Sequence, residues 1–231
     1  MALNAATFIL QLFDISFACF NHPETSVRNV SIELFSNIAI TQQSNISVLG
    51  IDQRLLEMID ESHSIHQRLS SIQCIFNLFL FHNFSEEQVK FIMDNLFSIF
   101  FDQNSDVLSI KLIIQLIGEN STLIFQLIND PSQILHLINK TIEYIQIPEL
   151  ASTVYRFIES SISNIPDVLP LIIQPLVEKS IIDLQTASSE IILSLIWMYT
   201  NLIISYSSSI VEYLSPLIIP LIKTMENVNT S

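Results

Sequence analysis

Glycine is nearly missing: Gly50 and Gly118 are the only two in 231 residues. Tight hairpins, phosphate-cradling loops and dinucleotide fingerprints need glycine where φ turns positive or where the backbone must approach a ligand closely. That scarcity excludes many-stranded antiparallel folds and argues against Rossmann and P-loop enzymes. Cysteine is equally sparse, with Cys19 and Cys74 alone. Two thiols at apolar helical positions make neither a disulfide framework nor a zinc site, and they fit reduced core residues of a cytoplasmic or nuclear protein. Basic charge is short as well: nine Lys and Arg stand against 23 Asp and Glu, a formal charge of −14. The nine are scattered from Arg28 to Lys223, so nucleic acid, which needs clustered cations, is not expected as a partner. A basic protein partner suits the field, although acidity also keeps an apolar chain dissolved. No Lys or Arg precedes Arg28 and Asp14 interrupts the first apolar run, so no secretory signal is expected.

What the chain has in quantity is apolar residues, 49% of the total, and their spacing is helical almost throughout. Val27, Val30, Leu34, Phe35 and Ile38 share one face; Ile65, Leu69, Ile72, Phe76 and Phe79 share another. Ser85 with Gln88 three residues on is a capping box, opening a helix whose inner face is Val89, Ile92, Met93, Leu96, Phe97 and Phe100. Gly118 is expected at the exit of the helix after it. The spacing predicts helices over 2–20, 25–40, 51–60, 64–81, 85–101 and 106–117. Beyond them it predicts a pair within 123–145 broken near Pro131, then 148–164, 166–182, 184–206 and 209–227. Short polar connectors such as 21–24 and 102–105 separate partners, and no long linker intervenes.

One stretch, 191–211, carries no charge and is long enough to span a membrane. Ser194, Thr200, Asn201 and Ser205 load it with polar groups and no basic cluster flanks it, so a helix buried in a helical array is the favoured reading and no membrane is expected.

Two internal echoes order the helices. Residues 26–38 (SVRNVSIELFSNI) return as 66–78 (HQRLSSIQCIFNL), setting Arg28 on Arg68, Ser31 on Ser71, Ile32 on Ile72 and Asn37 on Asn77. Residues 169–179 (LPLIIQPLVEK) return as 214–224 (LSPLIIPLIKT), setting Pro175 on Pro220. Periods of about 40 to 47 residues belong to HEAT and armadillo arrays. The expected fold is therefore all-α, a right-handed α-solenoid of stacked antiparallel helix pairs, with about five pairs in one array over 1–231. Arg28 and Arg68 are expected to brace neighbouring repeats. Glu33, Asn37, Gln73 and Asn77 are expected to project from inner helices into a groove, and with the two arginines they form the candidate partner-binding set.

Within that superfamily the first hundred or so residues resemble the N-terminal region of karyopherin-β nuclear transport receptors, the importins and exportins. The resemblance is carried by the polar turn Asn21-His22-Pro23-Glu24, by Arg28 and Leu34 on the helix after it, and by the helix opening at Phe84-Ser85-Glu86-Glu87-Gln88. Ser31 stands where the family prefers alanine and Glu24 where it uses aspartate. Those receptors are several times longer, so a chain of this length resembles a fragment of one or a different small scaffold. The resemblance implies contact with a Ran-type GTPase and basic cargo, and a cytoplasmic or nuclear location. The alternative is a non-transport scaffold subunit of a larger assembly, joined through a C-terminal helix where Leu217, Ile218, Leu221 and Ile222 need a cover.

No enzyme, metal or cofactor is expected. His63 and His66 lie three apart with Glu61 nearby, but no third ligand follows at a metal-binding spacing. Glu86 and Glu87 are neighbours that do not face each other, and Ser207, Ser208 and Ser209 lack a base. Trp197, Met198 and Tyr199 are expected in the core.

Overall fold

The computed structural model describes residues 2–102, 105–128, 130–162, 169–186, 189–206 and 208–229. The protein is all-helical, and no strand occurs among the described residues. Contacts divide the chain into two compact units, residues 1–113 and 114–231.

The first unit holds α1 (Ala2–Cys19), α2 (Thr25–Thr41), α3 (Ile51–Met58), α4 (Ile65–Leu78), α5 (Glu86–Phe101) and the first half of α6 (Val107–Glu119). Local signals set the helix ends. Gly50 lies at φ 66°, a left-handed conformation that lets the chain turn into α3. Ser64 caps α4 by accepting from the Gln67 amide at 3.2 Å. The box at Ser85 is complete: its hydroxyl accepts from the Gln88 amide, and the Gln88 side chain accepts from the Ser85 amide at 2.8 Å. Helix α1 packs on α2, α2 on α4, and α3 on α4. Phe13, Phe17, Phe20 and Phe35 interlock between α1 and α2, with ring centroids 5.3 to 6.3 Å apart. Phe13, Phe20 and Phe35 are fully buried, each stabilising the fold by about 1.5–3 kcal/mol.

The second unit holds the rest of α6, then α7 (Ser121–Ile128), α8 (Pro131–Glu143), α9 (Pro148–Ile162), α10 (Leu169–Thr186), α11 (Ser189–Tyr206) and α12 (Ser208–Asn229). Asp130 caps α8 by accepting from the Ser132 amide, with Pro131 in the first turn, where its missing N–H costs nothing. Helix α9 packs on α11 and α10 on α12. Leu150, Val154, Tyr155 and Ile158 supply the buried side of α9, and Leu195, Met198 and Leu202 that of α11. Pro175, Pro216 and Pro220 sit inside α10 and α12 without ending either helix. Pro175 and Pro216 lie on exposed sides, where water can take the carbonyl that each leaves unbonded.

Several helix ends differ from the sequence reading: α4 ends at Leu78 rather than 81 and α7 begins at Ser121 rather than 123. Gly118 lies inside α6 with no left-handed turn, on the side facing α9, where an added Cβ would meet Ser160 Oγ at 3.4 Å and Phe157 Cα at 3.5 Å, ordinary contact distances. The break expected between 182 and 184 falls within α10, because Asp183 and Leu184 are both buried on its inner side.

No single described helix is long and apolar enough to cross a membrane; α6 and α7 reach that length and composition only as a bent pair. The apolar run 191–211 is shared between α11, which ends at Tyr206, and α12.

Candidate functional site

Helices α2 and α4, the pair related by the first echo, lie side by side and carry the six candidate residues. Arg28 is 3% exposed and turns inward. Its guanidinium donates to the carbonyls of His22 and Pro23 at 2.6 and 2.8 Å and to Thr25 Oγ1 at 2.9 Å, closing the turn between α1 and α2. Burial pushes its pKa below the usual arginine value. Its role in these contacts is local, which corrects the expectation of a brace between repeats. The cause is the short turn 21–24, which presents its own carbonyls within reach of the side chain.

Arg68 does reach across. Its Nε donates to the Ile59 carbonyl at 3.0 Å, at the end of α3, while Nη2 donates to Asn95 Oδ1 at 3.1 Å and Ser98 Oγ at 3.0 Å on α5. Three acceptors on two flanking segments are held by one planar fork, a task suited to arginine.

The four remaining candidates divide. Glu33 and Asn37 are exposed, one turn apart on α2. Gln73 and Asn77 are half-buried on α4, and Asn77 Nδ2 donates to Ser36 Oγ at 2.8 Å, tying α4 to α2. Asn77 is thus partly engaged in packing, and the open part of this face belongs to Glu33 and Asn37.

A second feature of the same unit eluded the sequence reading. The end of α3, the loop after it and the start of α5 border an open cleft of about 610 Å³, lined among others by Leu56, Glu57, Asp60, His63, Glu87 and Phe91. The Asp60 carboxylate accepts from the Ser62 amide at 2.9 Å, and that bond, with help from His63 and Arg68, holds its pKa below the ordinary carboxylate value. Three acids at the rim, with Phe91 40% exposed beside them, could take a cationic side chain, its aliphatic stem lying on the ring. The residues are some 30 positions apart in sequence, and each acid read singly is an ordinary helix-end charge. The packing of α3 and α5 on α4, with Arg68 bonded to both, brings them together.

The histidines do not converge. His66 is half-buried with Nδ1 lacking a hydrogen-bond partner, and burial, then the nearby Arg28 charge, push its pKa down. Among the described residues no group of three or more His, Cys, Asp or Glu is placed to hold a metal ion. Cys74 is fully buried, which raises its thiol pKa well above the free value and leaves it unreactive.

In the second unit a buried polar cluster links three helices. Tyr155 on α9 donates to Asp183 Oδ2 on α10 at 2.6 Å, Lys179 lies 3.6 Å from the other carboxylate oxygen, and Ser180 on α10 shares a 2.8 Å bond with the Tyr199 hydroxyl on α11. Burial first, and the Asp183 carboxylate after it, raise the Tyr155 phenol far above its ordinary pKa; Tyr199 is raised chiefly by burial. Met198 and Tyr199 are buried as expected, but Trp197 is 65% exposed. One step along a helix turns a side chain by about 100°, and with Met198 pointing inward Trp197 falls on the outside. It borders a cleft of about 460 Å³ with Arg156, Glu159, Leu193 and Ser194, where Asn201 donates to Glu159.

Comparison with protein-family models, with curated proteins and with solved structures finds no match.

Proposed function

We propose that the protein is a helical-repeat scaffold that binds other proteins, its helices stacked in antiparallel pairs as a HEAT/armadillo-type α-solenoid. The observation that carries this reading is the packing of the echoed helices. The related segments on α2 and α4 lie side by side in the first unit, and those on α10 and α12 do so in the second. Helix-on-next-but-one packing is what successive repeats of a solenoid do, each covering the apolar side of its neighbour. Arg68, fastening α4 to the start of the next pair, adds to it.

The finer reading is a karyopherin-like transport factor, binding a Ran-type GTPase through the α2 and α4 face and basic cargo through acidic surface such as the cleft at Glu57, Asp60 and Glu87. It rests on the sequence resemblance and on the −14 charge. Pull-down of a purified Ran-type GTPase loaded with GTP or GDP tests it. Retention of the GTP form alone, weakened by Glu33→Lys with Asn37→Lys, is the expected result; equal retention of both forms, or none above a charge-matched acidic control, removes the transport reading and leaves the scaffold.

The alternative, a subunit of a larger non-transport assembly, is favoured by α12. Leu217 is buried, yet Ile218, Ile219 and Ile222 are all more than half exposed. Size-exclusion chromatography separates the two, since a subunit would aggregate alone and run as one species with its partner.

A further inference from the structure

The exposed side of α11 is as apolar as its buried side. Leu193, Ile196, Trp197, Thr200, Ile203 and Ile204 all face solvent, Trp197 at 65% and Ile204 at 72% exposure. Their spacing of three, one, three, three and one is the heptad rhythm of a seam between two helices. At roughly 150–250 Å² for a large fully exposed side chain, the five apolar members present on the order of 500 Å² to water. That lies at the upper end of the largest patch a monomer normally shows, about 300–600 Å². Closed on a second copy it would bury on the order of 1,000 Å² over the two partners, the least that a specific interface needs.

We propose that this stripe seats the same stripe of a second copy, in an antiparallel pair about a two-fold axis at Thr200. The spacing is symmetric about that residue: Ile196 then lies against Ile204 of the second copy, Trp197 against its Ile203, and Thr200 against its Thr200. Self-pairing of a surface with closed two-fold symmetry is the commonest form of oligomer, and it sets residue i on j and j on i, which this spacing does with apolar residues on both sides. Charge favours the same site. Two copies at −14 each repel over most of their surface, but 191–211 carries no charge, and the cleft edge beside it offers one cation and one anion. The inference concerns α11 alone and is independent of the partner-binding reading of the first unit.

The chain's only tryptophan sits in the proposed seam, so its emission reports closure directly. Sedimentation equilibrium of the full chain from low to high micromolar concentration is expected to show a species of twice 26.3 kDa forming as Trp197 emission shifts to the blue. Trp197→Glu and, separately, Thr200→Glu are expected to weaken association about 30-fold or more with unchanged helical circular dichroism; both positions are exposed in the monomer, so either tests the seam if the other misfolds. In a Cys19→Ser background, Thr200→Cys is expected to form an intermolecular disulfide on mild oxidation and Leu193→Cys is not, since an antiparallel pair holds the two Leu193 positions about 20 Å apart. A wild-type chain that stays monomeric overturns the proposal. So does one that partitions onto neutral phospholipid vesicles without dimerising, or that dimerises equally well with Glu at both positions. Cross-linking at both 193 and 200 overturns the antiparallel arrangement.

Discussion

Arg68 shows what one side chain can decide. It satisfies the Ile59 carbonyl and two α5 side chains at once, so Arg68→Ala leaves two partly buried acceptors, the Ile59 carbonyl and Asn95 Oδ1, without this donor, at a cost of about 1–3 kcal/mol. Urea unfolding is expected to show that loss, and Arg68→Lys is expected to recover little of it, because a single ammonium cannot span three acceptors set out for a planar fork. Full recovery by lysine would mean that charge alone matters there. The buried tyrosines make a prediction of opposite dependence on the solution. Tyr155 and Tyr199 hold their protons more tightly folded than unfolded. A raised folded pKa gives stability that is complete below the unfolded value, near 10 for tyrosine, and that is lost as pH climbs toward the folded one. Ultraviolet titration is therefore expected to show these two phenols silent until the protein unfolds in alkali, while Tyr155→Phe, which removes the bond to Asp183, lowers stability at neutral pH as well.

At the scale of the element, the two glycines do opposite work, and substituting each by alanine should separate their roles. Gly50 is left-handed with open space around it, so alanine there costs about 1–2 kcal/mol of backbone strain. Gly118 is helical, and an added methyl would meet Ser160 and Phe157 at ordinary contact distances, so Gly118→Ala is expected to stabilise by up to about 1 kcal/mol through helix propensity. Thermal melting of the two variants checks both signs. A helix exit is the expected place for Gly118, since glycine is common there; nothing local signals that the helix runs on past it with α9 alongside. The same asymmetry runs through the fold. Helix interiors were legible because the spacing of Ile92, Leu96 and Phe100 is local information, as is the Ser85 box; on α2 the face was legible only in part, since Val30, expected inside, is 65% exposed and Ile32 is buried instead. The break expected near 183 was not, because Asp183 reads as a surface acid until Tyr155 is known to bond it. The acidic cleft and the outward turn of Trp197 belong to the same class: each depends on which helices are neighbours, and α11, apolar on every side, gives no sequence clue as to which side is covered.

At the scale of the whole molecule the excess of negative charge couples every association to ionic strength, and with opposite signs for the two kinds of contact. An apolar seam on α11 brings two chains of −14 together with only the Arg156 and Glu159 edge beside it to offer compensating charge, so the long-range field opposes closure and salt relieves it. Taking the Debye length from about 30 Å at 0.01 M to about 3 Å at 1 M is expected to tighten self-association several-fold, read by sedimentation or by Trp197 emission. A basic ligand held at Glu57, Asp60 and Glu87 would respond the other way, since its attraction to exposed carboxylates is screened by the same change. An oligolysine peptide serves as the probe: its affinity is expected to fall across that range while dimer formation rises in the same samples. If both fall together, the dimer is held by charge and its seam lies elsewhere than α11; if the peptide is indifferent to salt, the acidic cleft is not what receives it.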